Sequence, residues 1–339
     1  MQVRIVVNYF GTPPAIFQLW LDSVGTNVKV QWLLFTDIDM SDYQVPSNVK
    51  VFRSDFGTMK RRIQAAIPFA VRYEKPYDFC ALKPLIPIIF KEELKGADFW
   101  GWADLDVIFG DLTPVLDLAE QGYDKVMPNG HFSIVRNTPE LSEFILKHRC
   151  THAAVAIGEK GLSCYDERDF RFTVMHEYGA RQASEIVPYI HLYPRWGHFS
   201  FNVSFAASRL LGLGNDGTCP VLFTWSEGRL LGHFVAHGGV KSLELAYVHF
   251  FKRNIRNRTG RLLDDGTKYL IEPTGVRRWD GGELTRMKIL WINRPRMHWR
   301  YIYDRLNWKT VQRKLKVFYR MWLSRPRQNV EEIIYHSGC

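Results

Sequence analysis

Two pairs of aspartates stand one residue apart in this chain, Asp37-Ile38-Asp39 and Asp104-Leu105-Asp106. Carboxylates at i and i+2 of an extended backbone point to one side, so such a pair can face a single hard cation. At a separation of about 4–6 Å their repulsion is relieved by a cation between them. The pattern itself is common: 19 Asp in 339 residues make roughly one Asp-x-Asp expected by chance. Context separates the two pairs. Asp104 and Asp106 follow Phe99–Trp102, which reads as a buried strand, and precede a second apolar run. Asp37 ends the strand-like run Val30–Thr36, and polar residues after it place Asp39 in a solvated turn. Asp104/Asp106 therefore reads as a metal pair beside a phosphate-bearing ligand. Asp37 reads as an acceptor for hydrogen bonds from a nucleotide base or ribose. For each acid the alternative is a capped turn.

The elements that would hold these residues alternate in the first third. Strands are expected at Val3–Tyr9, Val30–Thr36, Val49–Phe52 and Phe99–Trp102, with helices at Ala15–Ser23, Met59–Phe69 and Leu82–Leu94. This βαβα rhythm implies an α/β fold with a mostly parallel sheet and ligands at the carboxyl ends of its strands. Further strands are expected at Lys125–Met127, His131–Arg136, Val221–Trp225, Leu230–Val235 and Ala246–Phe251, and a helix at Pro139–Arg149. Glu227-Gly228 reads as a hairpin turn. Arg261–Leu270 resembles a second hairpin turning at Asp265-Gly266, and residues 150–220 mix short helices with loops. The organisation divides into 1–125 as a nucleotide-binding half, 126–285 as a second half of the same domain, and 286–339 as a basic helical extension.

Composition is that of a globular chain, 46% hydrophobic and 24% charged. Eleven Trp fit either sugar handling or an aromatic core. No apolar run approaches the ~18–20 residues of a membrane-spanning helix. The five cysteines are scattered and never spaced as Cys-x-x-Cys, which argues against a zinc site or a disulfide framework and for a reducing cytoplasm. The net charge of +10 is concentrated: between Arg294 and Arg327 eleven Lys/Arg face one acid, Asp304. There Trp308, Val311, Leu315, Phe318 and Trp322 form an apolar helical stripe beside Lys309, Arg313, Lys316 and Arg320. Such a helix suits an anionic membrane surface, or packing on its own domain.

The blocks Asn8-Tyr9-Phe10-Gly11, Trp32–Asp37, Lys75-Pro76-Tyr77, Leu82-Lys83-Pro84, Phe99–Gly110 and Tyr247–Arg253 resemble a bacterial family of GT-A-type glycosyltransferases from surface-polysaccharide gene clusters. The likeness spans about residues 1–255. It implies a GT-A-like (Rossmann-like) sheet with helices on both faces. It further implies Mn2+ or Mg2+ on Asp104 and Asp106 with a late histidine, His249, completing the set. A nucleotide-sugar, a UDP-sugar in the first instance, would contact Tyr9, Phe10, Asp37 and Asp104, with Lys83 and Lys252 adding positive charge near the phosphates. Asp166-Glu167 is similar to the acidic motif that supplies the base of an inverting enzyme; in a retaining enzyme the pair would bind acceptor hydroxyls. His131 and Arg136 are candidates for the acceptor side. His233 and His237, about 13 Å apart on a strand, do not read as a metal pair.

The expected function is transfer of a sugar to a glycan acceptor, lipid-linked and met at the inner face of the plasma membrane through the basic tail. Two other classes fit parts of the sequence. A pI near 9.3 and a basic tail with aromatics could serve nucleic acid. Zinc-finger spacing and RNP-type aromatics are absent, so no nucleic-acid partner is expected. A non-catalytic glycan-binding or scaffold protein would not need Asp104, Asp106 and His249 together.

Overall fold

Runs rich in Val, Ile, Leu and aromatics form the strands of this computed structural model, which describes residues 1–159, 165–183, 186–195, 198–203, 220–236, 239–250, 256–257, 268–273 and 275–293. In chain order they are β1 (Val3–Tyr9), β2 (Val30–Thr36), β3 (Val49–Arg53), β4 (Phe99–Ala103), β5 (Val107–Phe109), β6 (Lys125–Asn129), β7 (Phe132–Arg136), β8 (Gln182–Ala183), β9 (Ile190–Arg195), β10 (His198–Val203), β11 (Val221–Ser226), β12 (Arg229–Ala236), β13 (Gly239–Glu244), β14 (Tyr247–His249), β15 (Arg256–Asn257), β16 (Tyr269–Glu272) and β17 (Gly275–Arg278).

The central sheet has seven strands in the order β3-β2-β1-β4-β7-β6-β8. Pairing is parallel from β3 through β4 and again between β6 and β8, and antiparallel on both sides of β7. The expected mixed α/β fold with a mostly parallel sheet is therefore present. The chain runs outward from β1 to β3 and then returns to β4 on the other side of β1. That reversal opens a crevice beyond the carboxyl ends of β1 and β4, where ligands of open α/β sheets bind. Two further sheets were not foreseen as separate bodies. One has four strands, β10-β9-β14-β5; the other has six, β13-β12-β11-β16-β17-β15, antiparallel except at the β15 edge.

Helices cover both faces of the central sheet. Phe17–Gly25 and Thr113–Glu120 join the apolar cluster that holds Trp20, Trp32 and Phe109. Phe56–Ala66 and Pro139–Lys147 join the opposite cluster, with Trp100 and Trp102. Trp100 and Trp102 share that face because they are two apart on β4, and Gly101 between them leaves room for the Ser133 carbonyl of β7, 2.2 Å from where a Cβ would stand. Trp20, Trp32, Trp100 and Trp102 are fully buried, so these aromatics build core.

Several boundaries move for identifiable reasons. The helix expected over Leu82–Leu94 is a chain of short turns, Pro76–Asp78, Phe79–Leu82, Lys83–Leu85 and Ile86–Ile89. Pro76, Pro84 and Pro87 lack the N–H a continuous helix needs. The helix from Pro139 stops at Lys147 because His148 turns extended and caps Arg149–Val155, its Nδ1 accepting from the Cys150 amide at 3.1 Å. The strand around His249 is confined to Tyr247–His249. The Glu227-Gly228 hairpin forms as expected, both residues at positive φ between the antiparallel β11 and β12. The helix Arg286–Asn293 belongs to the unit Met1–Arg294. The second hairpin's turn at Asp265-Gly266, Lys252, His237 and the basic apolar-striped tail lie outside the described residues. Among the described residues, no helix is long and apolar enough to cross a membrane.

Candidate metal centre and active site

Asp104 and Asp106 occupy the turn by which the chain leaves β4 of the central sheet and enters β5 of the four-stranded sheet. They are not on extended backbone, as the spacing suggested; buried Leu105 anchors the turn between them. β14 runs antiparallel to β5 and pairs His249 with Val107, so the Phe250 amide bonds to the Asp106 carbonyl at 2.9 Å. His249 Nε2 thereby comes 3.3 Å from Asp106 Oδ1. One ligand atom from each of Asp104, Asp106 and His249 lies within 4.8 Å of the others. Ligands around a small divalent cation with bonds of about 2.1 Å stand roughly 3–4.2 Å apart, so the three need to close only slightly. Two carboxylates and an imidazole are a donor set for a divalent cation, the carboxylates being the ligands that Mn2+ or Mg2+ takes.

The electrostatics split the pair. Burial and the neighbouring Asp106 push Asp104 above the usual carboxylate range, against the attraction of Lys83. Burial acts upward on Asp106 too, but the charge and hydrogen bond of His249 outweigh it and hold Asp106 low. A cation between them would relieve what burial imposes.

Lys83 is the organising cation. It is 4% exposed, carried inward among the buried Leu82, Pro84 and Leu85. Its Nζ donates to Asp104 Oδ1 at 2.7 Å and to the Gly130 carbonyl at 2.6 Å, and lies 3.4 Å from Asp166 Oδ2. Three hydrogens meet three acceptors. Its charge is engaged by carboxylates inside the site.

Asp166 and Glu167 open a π-helical stretch, Tyr165–Val174, a geometry often found at functional sites. Tyr165 anchors it through a 2.6 Å hydroxyl contact with Thr151, and Phe170 packs edge-on against Trp102 of β4. Gly130 is what lets the stretch close. A Cβ there would stand 2.4 Å from Asp166 Oδ2 and 2.6 Å from Glu167 Cγ. Burial pushes Asp166 up to about 6 despite Lys83, and burial also raises Glu167. Asp166 is buried, whereas Glu167 is only partly so.

Tyr9 and Asp37 leave the carboxyl ends of the parallel strands β1 and β2, on the same edge as Asp104. Asp37 Oδ1 accepts from the Gly11 amide at 2.8 Å, and Tyr9 donates to the Thr12 carbonyl at 2.7 Å. Burial raises the Tyr9 hydroxyl, and the charges of Asp106 and Asp37 raise it further. Phe10 is buried against Phe56, so its ring is core. Asp39 caps an exposed turn through the Ser41 amide at 3.0 Å. Arg136 is at the wrong end of the sheet: β7 is antiparallel to β4 and pairs Arg136 with Phe99, where it bonds Asp124 at 2.7 Å. His131, at the other end of β7, is at the site but buried, its carbonyl bonded to the Asp104 amide at 3.0 Å. His233 is held between Thr224 and Ser242 at 2.8 and 2.9 Å.

Residues 5–280 match the model of a family of unknown function, DUF6625. The chain belongs to that family. Among curated proteins none matches the sequence. Among solved structures, this DUF6625 chain is similar to the apo form of mouse xyloside xylosyltransferase 1, with 8% identity over 58% of this chain and 89% of that one and a TM-score of 0.38. It is also similar to A197 from STIV, with 14% identity over 54% of this chain and 80% of that one and a TM-score of 0.24.

Two residues of the DUF6625 site had no role in the sequence. His191 of β9 falls in the stretch that reads as mixed helix and loop, yet β9 and β14 are parallel and pair it directly with His249. Burial, with His249 alongside, pushes His191 down to about 3, and burial also drives His131 well down. Lys125 is fully buried, its Nζ bonding Ser133 Oγ at 2.8 Å and the carbonyl of Met127, which sits at φ 68° within a bulge of β6. Burial lowers it to about 7. The bulge leads directly into Gly130 and His131. In the sequence His191 interrupts a continuous apolar and aromatic run, Tyr189–Tyr193, which is a strand signal but gives no partner.

Proposed function

We propose that this chain is a metal-dependent glycosyltransferase of GT-A-like fold that transfers a sugar from a nucleotide-sugar to a surface-polysaccharide acceptor. The observation that carries the reading is the convergence of Asp104, Asp106 and His249 at the switch point of the central sheet. A divalent cation bound there would supply the positive charge that a departing nucleoside diphosphate requires. Lys83 holds Asp104 in place and offsets its charge. Tyr9 and the Gly11–Asp37 contact form the adjoining edge, suited to a base and ribose. Of the two acids of the π-helical stretch, Asp166 is committed to Lys83, so Glu167 is the group to take a proton at its carboxylate from an acceptor hydroxyl. The basic tail would bring the site to an anionic membrane on the cytoplasmic side, where a lipid-linked acceptor lies.

Calorimetry with nucleoside diphosphates, with and without Mn2+, tests this together with a thermal-shift panel of nucleotide-sugars. Wild type should bind only with the cation, and Asp106→Ala should lose that binding. Undiminished binding by Asp106→Ala would refute the metal assignment, and no stabilisation by any nucleotide-sugar would refute the class.

A further inference from the structure

The two ring nitrogens of His249 face different neighbours. Nε2 is 3.3 Å from Asp106 Oδ1, and Nδ1 is 2.8 Å from Nδ1 of His191. The second contact follows from topology. β9 and β14 are parallel neighbours with His191 and His249 in register, so both rings leave the same face of the sheet side by side. His131 closes the other flank, its ring stacked on His249 with centroids 4.1 Å apart and planes inclined by 28°. Its Nε2 lies 3.3 Å from His191 Nδ1.

A neutral imidazole carries one hydrogen and one lone pair, so a 2.8 Å approach of two Nδ1 atoms is a hydrogen bond of one polarity or the other. A cation on Asp104 and Asp106 needs the lone pair of His249 at Nε2. The hydrogen must then be at Nδ1, and Nδ1 must face an acceptor. We propose that His191 is a positioning residue of the metal centre: its Nδ1 accepts the His249 Nδ1 hydrogen and so keeps the Nε2 lone pair aimed at the aspartate pair. His131, stacked on the same ring, fixes its plane. The proposal rests on the metal-centre reading given above.

Partners of this kind hold and tune ligating histidines in metal sites generally, more often as carboxylate or carbonyl. An imidazole partner adds one property, since it can reverse. Without a cation, His191 Nδ1–H donates to His249 Nδ1, and His249 Nε2–H donates to Asp106. With a cation both hydrogens move to the opposite nitrogens, each ring still carrying one. His249 is thus paired at Nδ1 in either state, and no buried ring nitrogen of the contact loses its partner on loading.

The test uses the full chain as wild type, His191→Ala and His191→Asn. Asn places an acceptor oxygen near the position of the histidine Nδ1. Titration calorimetry with Mn2+ should show His191→Ala binding about 10–100-fold more weakly, the range for loss of such a partner. His191→Asn should recover most of the affinity. The 15N spectra of histidine-labelled wild type should show His249 carrying hydrogen on Nε2 without Mg2+ and on Nδ1 with it. Equal Mn2+ affinity in all three proteins would overturn the role of His191 and leave the metal centre standing, whereas a His249 that keeps its Nε2 hydrogen in saturating Mg2+ would overturn the proposal and remove His249 from the ligand set. A wild-type chain that takes up neither ion would overturn the metal centre itself. Should His191→Ala fail to fold, the Asn variant and the wild-type spectra still decide.

Discussion

Replacing Lys83 with Met removes a buried charge while keeping the side chain's length and most of its apolar volume. In the native site Nζ lies 2.7 Å from Asp104 Oδ1 and 3.4 Å from Asp166 Oδ2, at 4% exposure. The variant leaves the buried Asp166 carboxyl and the partly exposed Asp104 carboxyl facing a thioether, with Asp106 and Glu167 nearby. Removing one partner of a buried ion pair costs about 3–5 kcal/mol. Against a total of about 5–15 kcal/mol for a domain, the variant should fold with a reduced margin. Protonation limits the loss. Asp166 sits at about 6 even beside Lys83, against an ordinary 3.8, and without the lysine both Asp104 and Asp166 rise further. Holding a carboxyl neutral one pH unit above its pKa costs about 1.4 kcal/mol. The sign follows from proton uptake: a folded-state pKa above the unfolded one means the fold binds the proton more tightly, so stability is lost as pH rises. The deficit relative to wild type should grow from about 1 kcal/mol near pH 5 to about 3–5 kcal/mol near pH 8. Urea unfolding followed by tryptophan fluorescence at both pH values measures it, and excess Mg2+ should restore part of the loss at pH 8. A deficit that is the same at both pH values, or absent, would show that Lys83 does not compensate these carboxyls.

Gly130→Ala puts a methyl 2.4 Å from Asp166 Oδ2; it should cost about 1–3 kcal/mol and reduce transfer far more than Mn2+ binding, as activity and calorimetry on one preparation would show. Acidification should slow transfer as Glu167 takes up a proton at a pKa above its ordinary 4.5, raised by burial; the pH–rate profile of Glu167→Gln should lack that acidic limb while Mn2+ binding persists. Removing residues 295–339 should release the protein from anionic vesicles and leave cation-dependent nucleotide binding intact, and unchanged sedimentation would refute the tail's role.

Much of this fold and part of its site could be read from the chain alone, because the signals involved are local. A run of apolar residues becomes a buried strand wherever it packs, which is why β1, β2, β3 and β4 fall at Val3–Tyr9, Val30–Thr36, Val49–Arg53 and Phe99–Ala103. The Asp104/Asp106 pair is likewise local, an exit turn after an aromatic strand, although its common orientation comes from a turn between two sheets rather than from the pleat. Proline chemistry is legible too: Pro76, Pro84 and Pro87 break the segment carrying Lys83 into short turns.

What tertiary structure alone decided are the contacts made across long stretches of chain. Lys83 meets Gly130 across 47 residues and His191 meets His249 across 58. Such pairings depend on which strands become neighbours, and strand order leaves no trace in local periodicity. The same packing takes Phe10 into the core and carries Arg136 to the far end of β7, where residue type alone had suggested ligand contacts. Thus the sequence determined that two aspartates end a buried strand. Tertiary packing determined that a lysine, three histidines and two acids of a π-helical stretch would stand around them.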